Sequence, residues 1–170
     1  MAEGTMAERT LRIAAITVSD TRTEADDEGG ARLRERLEAA GFVVNHRAIV
    51  RDEPELVRAA IAKVCDHDLA DAIVTTGGTG IAPRDTTYEA VDALLEKKLD
   101  GFGEAFRRLS WDEVGARSVL SRAVAGTYRG RLVAALPGSP KAVVLAVDRL
   151  LAPILPHAVG LLRGSKHGHH

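Results

Sequence analysis

The chain predicts a three-layer α/β/α domain with a mostly parallel sheet and one antiparallel strand. Three observations carry this. Short apolar, β-branched runs alternate with amphipathic stretches of helical period. Several of the runs end in loops rich in glycine, hydroxyls or acids, and two late runs flank Arg129-Gly130 as a hairpin. At 170 residues, 45% hydrophobic and 28% charged, the chain suits one such domain with a sizeable core.

Residues 11–18 read as a buried strand, a short apolar run ended by polar turn residues. Helical spacing follows over residues 29–40, through Ala31, Leu33, Leu37 and Ala40, and Gly41 stops it. Residues 42–50 form a second strand, of mixed polarity and so near a sheet edge. Glu53-Pro54 opens a helix whose apolar positions are Leu56, Val57, Ala60, Ile61 and Val64, with Cys65 on its apolar face. The third strand, residues 70–76, runs straight into Gly77-Gly78-Thr79-Gly80. Such repeats imply right-handed crossovers and a parallel sheet covered on both faces. Further helices are predicted over residues 86–95, 102–109 and 141–151, with a short helical piece beyond Pro156; the hairpin strands cover 123–128 and 131–136.

Composition excludes several functions. With 23 basic and 24 acidic residues the net charge is -1, which argues against an electrostatic binder of nucleic acid or anionic membrane. Aromatics at 4% disfavour a base-stacking platform. A single cysteine, Cys65, excludes an intrachain disulfide or a CxxC site. Residues 1–10 lack the apolar core of a signal peptide, and Met6 reads as an alternative start. The apolar stretch 150–162 is interrupted by Pro153, Pro156 and His157, and it falls short of the roughly 20 residues that span a bilayer. The expectation is a cytoplasmic protein with a flexible segment 1–10, one domain over 11–163 and a flexible tail 164–170 whose histidines are an exposed end rather than a metal site. No two histidines have ligand spacing on one element, so no zinc site is expected.

In an open α/β sheet, ligands bind where strands end and loops lead into helices. Thr76, Gly77, Gly78, Thr79 and Gly80 occupy such a place: glycine backbone can approach an anion closely and threonine hydroxyls can donate to it. A sharp strand-to-helix turn is the other reading. No Gly-Lys-Ser/Thr follows, so it is not a Walker A loop. Asp85 and Asp52 each precede a helix start, and each fits either a helix cap or a magnesium ligand; Thr86 and Glu89 have capping-box spacing. Pro137-Gly138-Ser139-Pro140 fits an N-cap with proline at N1, or an anion site. Ser19 and Asp20 open a loop that reads as a phosphate cradle or a solvated turn, and Arg122 after Ser121 suits a phosphate or a carboxylate. Trp111, Phe102 and Phe106 are spaced for packing on a helix face or against another subunit.

Taken together, Thr17-Val18-Ser19-Asp20, Asp26-Asp27-Glu28-Gly29-Gly30, Val50-Arg51-Asp52-Glu53, Thr75 to Gly80 with Arg84-Asp85-Thr86-Thr87, Gly101-Phe102-Gly103-Glu104, Leu120-Ser121-Arg122-Ala123 and Leu136-Pro137-Gly138-Ser139-Pro140 resemble the MoaB/Mog family of molybdenum cofactor biosynthesis proteins. The resemblance runs from about residue 12 to residue 157. It implies trimers or hexamers and adenylylation of molybdopterin, in which AMP passes from Mg²⁺-ATP to the pterin's terminal phosphate and pyrophosphate leaves. Product would go to a MoeA-type enzyme for molybdate insertion, and no prosthetic group is implied. By motif match, Asp52 and Asp85 would be catalytic and would organise Mg²⁺. Ser19, Asp20, Thr76 to Gly80, Arg84, Ser121, Arg122 and Pro137 to Ser139 would bind substrate. Thr86-Thr87-Tyr88 replaces the Val-Thr-Pro usual in Mog-type members, and Leu109 to Gly115 looks MoaB-like. The alternative is therefore a non-catalytic MoaB-type binder of pterin or its precursors; a third reading, a flavodoxin-like binder, rests on the first loop and the sheet pattern.

Overall fold

The computed structural model describes residues 9–164; the expectations for residues 1–8 and for the terminal histidines lie outside the described residues. Six strands form one sheet: β1 (Arg12–Val18), β2 (Val43–Val50), β3 (Ala72–Thr76), β4 (Lys97–Lys98), β5 (Val124–Tyr128) and β6 (Arg131–Leu136), in the order β2-β1-β3-β6-β5-β4. β2, β1, β3 and β6 run parallel, while β5 is antiparallel to both of its neighbours. The mixed strand β2 lies at the edge, as its polarity predicts.

Period-two alternation divides the core into two layers. Ile13 and Ala15 of β1, Val74 of β3 and Leu132, Ala134 and Leu136 of β6 meet Leu33 and Leu37 of α1 (Glu28–Ala39). Phe106 of α4 (Asp100–Val114) and Val143 of α5 (Pro140–Ala146) join the same layer. On the other face, Ala14, Ile16, Ile73 and Val133 pack on Val57, Ile61 and Val64 of α2 (Pro54–Asp66) and Val91 of α3 (Thr87–Asp92). Cys65 is buried on α2, and burial pushes its thiol pKa up.

The latter half departs from the sequence pattern. α3 ends early, so that Lys97–Lys98 can add a short strand to β5. α4 runs on to Val114 and continues as a 3₁₀ turn, Gly115–Leu120. Neither proline ends the last helix. α5 passes through a π turn, Val147–Leu151, into α6 (Ala152–Leu162), giving one run of 23 residues. The widened turn lies just before Pro153, where proline lacks an N–H and crowds the carbonyl four residues back. This run is long and apolar enough to cross a membrane by length and composition. Its Val143, Val147, Leu151 and Leu155 are fully buried, so its apolar face serves the core.

Candidate functional site

The loops after β1, β2, β3 and β6 meet at the carboxyl edge of the parallel strands. The turn out of β3 is fixed by close backbone approach. Gly77 has φ of 101°, donates its N–H to the Leu136 carbonyl at 2.9 Å, and a Cβ there would lie 2.3 Å from the Val18 carbonyl oxygen. Gly78, at φ of 73°, accepts from the Thr87 N–H at 3.0 Å, closing the loop onto the start of α3. Thr76 is buried, and its hydroxyl donates to the Pro137 carbonyl at 2.9 Å, tying this loop to the next.

Asp52 and Asp85 do different work. Asp52 is buried, and its Oδ1 accepts from the Thr86 N–H at 3.0 Å and the Thr86 hydroxyl at 2.7 Å. It therefore caps α3 from another loop, while Glu53, the N-cap of its own helix, makes no side-chain cap. The Thr86–Glu89 capping box does not form, because Asp52 holds Thr86 and Arg122 holds Glu89. Asp85 accepts from the Ala82 N–H at 2.9 Å through one oxygen and lies at the wall of a cavity.

Arg84 grips Asp20 with two hydrogen bonds of 3.0 Å, and Asp20 also accepts from the Asp52 N–H at 3.1 Å. The Arg84 hydrogen bonds, working against desolvation, hold the Asp20 carboxyl below the usual carboxylate range. Ser19 accepts from the N–H groups of Thr21 and Arg22 at 3.2 and 3.0 Å, forming a turn. Arg122 is committed to protein groups: it donates to the Gly80 carbonyl at 3.0 and 2.8 Å and to the Asp85 carbonyl at 3.1 Å, pairs with Glu89 and lies 5.0 Å from the Tyr88 ring centre.

A cavity of about 440 Å³ opens beside these loops, within the size range of small-molecule sites. Gly77 to Gly80, Asp85, Ser121 and Pro137 to Ser139 line it, so nine of the residues singled out from sequence come together. Ser139 also caps α5, accepting from the Ala142 N–H at 3.2 Å. Ser19, Asp20, Asp52, Thr76, Arg84 and Arg122 are not on its wall; Thr76 and Arg122 hold the wall residues Pro137 and Gly80, while Arg84, Asp20 and Asp52 form a chain to Thr86 and Ser19 shapes its own turn. Sequence reasoning assigns no ligand role to the opposite contributions: Phe106, which it reads as a packing residue, and Ser110 of α4, Arg117 and Ser118 of the 3₁₀ turn, and Lys141 of α5. Lys141 directly follows the Pro-Gly-Ser-Pro motif, which is its signal in the sequence; Arg117 carries no local signal.

Among the described residues, no three His, Cys, Asp or Glu side chains gather as a metal cage. Magnesium carried by a polyphosphate asks for less, one or two carboxylates beside the phosphates, and the Asp85 carboxylate at the wall fits that demand. Glycine backbone and hydroxyls, with the acids Asp85 and Glu113 beside them, are equipment for holding phosphates rather than for covalent attack.

Fold and site together define an α/β protein with a cavity lined by glycines and hydroxyls at the strand ends. Comparison with known proteins makes the class specific. The model of a probable molybdopterin binding domain matches residues 14–157. Molybdenum cofactor biosynthesis protein B of Staphylococcus aureus is 47% identical over 154 residues, 89% of this chain and 91% of its own. A crystal structure of a molybdenum cofactor biosynthesis protein B superposes with a TM-score of 0.89 at 42% identity, covering 93% of this chain and 99% of that one. The tungsten cofactor synthesizing protein MoaB from Pyrococcus furiosus gives 0.82 at 36% identity, over 95% and 100%. The chain belongs to the MoaB/Mog family of molybdenum cofactor biosynthesis proteins.

Proposed function

We propose that the chain is a molybdopterin adenylyltransferase. An oxygen of the pterin's terminal phosphate bonds to the α-phosphorus of Mg²⁺-ATP, the bond from that phosphorus to the bridging oxygen breaks, and pyrophosphate leaves. The observation that carries this reading is the cavity in which the Gly77 to Gly80 backbone, Asp85, Ser121 and Ser139 converge. Such transfer depends on positioning and on charge neutralisation, and needs no covalent nucleophile. Asp85 would face the magnesium that accompanies the phosphates, and Asp52 would hold Thr86 and so the start of α3. Asp20, Arg84 and Arg122 would keep the loops in register.

The reading extends to assembly and place. Trp111, Val114, Val119 and Leu120 are all exposed on α4 and the 3₁₀ turn, and this apolar face would pair copies of the chain into a trimer or hexamer. The product would pass, in the cytoplasm, to a MoeA-type enzyme that inserts molybdate. One observation favours a second reading, a pterin binder without catalysis: the Asp52 carboxylate is buried against Thr86, off the cavity wall.

Incubation with molybdopterin and Mg²⁺-ATP tests both. AMP-molybdopterin and pyrophosphate in equal amounts are expected, and Asp85→Asn should abolish them while its unfolding transition stays in place. Pterin retained by the native chain without product would support the second reading; full activity in the Asp85 variant would remove that residue from the mechanism.

A further inference from the structure

The arginines that brace the loops are all spent on protein partners, yet two cations on the cavity wall are not. Arg117 of the 3₁₀ turn and Lys141 of α5 line the cavity with the glycine loop, and among the described residues neither side chain has a hydrogen bond or ion pair. Asp85 and Glu113 are the acids on the same wall. Ser121 adds a buried hydroxyl oxygen without a partner, a state that native structures correct with a ligand or water.

Lys141 also borders a second, open cavity of about 720 Å³, which shares Glu113, Val114 and Leu145 with the first and carries Arg32, Asp148 and Arg149. The two compartments thus adjoin along Glu113, Val114, Lys141 and Leu145. A ligand of two bulky halves linked through phosphoryl groups would lie with its halves in the compartments and its charge at the join. We infer that Arg117 and Lys141 hold those phosphoryl groups, with Ser121 completing the contact. The inference rests on the proposed reading only in that the ligand bears phosphate. Two sources supply the same chemistry, the pterin's own phosphate and the polyphosphate of the nucleotide.

The test is calorimetric titration of the full chain, Arg117→Met, Lys141→Met and Lys141→Arg, with Mg²⁺-pyrophosphate in one arm and molybdopterin in the other. Each methionine variant should bind one or both probes about tenfold more weakly, the effect of losing one charge-assisted contact, and Lys141→Arg should keep most of the affinity. Loss confined to the pyrophosphate arm assigns the cations to the nucleotide, and loss confined to the molybdopterin arm assigns them to the pterin. Native affinity for both probes in both methionine variants overturns the inference, even if the native chain transfers AMP. A native chain that transfers no AMP, with the tenfold losses still present, sinks the adenylyltransferase reading and leaves the phosphoryl site standing.

Discussion

Gly77 and Gly41 both have positive φ, at 101° and 93°, but only one has a neighbour in the way. A Cβ at Gly77 would meet the Val18 carbonyl oxygen at 2.3 Å, whereas at Gly41 nothing lies within 4 Å. Backbone cannot yield as a side-chain tip can, so Gly77→Ala carries both the left-handed penalty and a clash between strand ends. We expect it to cost roughly 3 kcal/mol and Gly41→Ala about 1, read by urea denaturation of each variant. Equal losses would mean that conformation alone, and not the approach to β1, requires glycine at the turn. The aspartates teach the same lesson of context. Asp52 and Asp85 look alike in sequence, each an acid before a helix, yet one is a buried cap serving a distant helix and the other lies at the cavity wall.

At the scale of elements, α3 is only six residues long and is held from outside. Asp52 caps it, and Arg122 joins its Glu89 to the carbonyls of Gly80 and Asp85. The guanidinium is the more important partner, because it satisfies part-buried backbone carbonyls while Glu89 remains half exposed. Arg122→Gln should therefore cost about 2 kcal/mol, whereas Glu89→Gln should cost no more than about 1. Denaturant midpoints of the two single variants and the double variant measure this; a larger loss for Glu89→Gln would show the ion pair, not the carbonyls, to be the staple. These contacts also mark the limit of what the sequence makes legible. Strands β1, β3 and β6, helices α1 and α2 and the hairpin follow from local period, and the glycine loop announces itself by composition. The capping-box spacing of Thr86 and Glu89 does not become a capping box, because residues far along the chain, Asp52 and Arg122, claim both side chains. β4 exists only because β5 offers it an edge, and the last helix continues through two prolines because a π turn and core packing hold it.

Across the whole molecule, the two ends of the sheet are built for different purposes. The carboxyl end carries loops and a cavity; the amino end is clamped by ion pairs. Arg12 at the start of β1 pairs with Asp68 and Asp71, both at 3.1 Å, Arg131 at the start of β6 reaches Asp68 at 2.9 Å, and Arg163 after α6 reaches Asp71 at 2.6 Å. Asp71 is the buried member, 8% exposed, and also accepts from the Arg12 N–H at 2.9 Å. Burial works to raise its pKa, but the hydrogen bonds from Arg12 and Arg163 outweigh it and hold the carboxyl below the usual range. A depressed carboxylate stabilises the fold above the pKa of the unfolded chain, and that share is lost as pH falls through the folded value. Asp71→Asn should thus cost about 2 kcal/mol at pH 7, and the gap between variant and native chain should begin to narrow near the pKa of an ordinary aspartate, about 3.9, and go on closing as pH falls through the lower folded value. Because the clamp lies at the opposite strand ends from the glycine loop, pyrophosphate affinity at neutral pH should not change. Urea titrations at pH 7 and pH 3, with binding measured beside them, decide the point: a gap that persists undiminished at pH 3 would show that Asp71 acts through packing rather than charge.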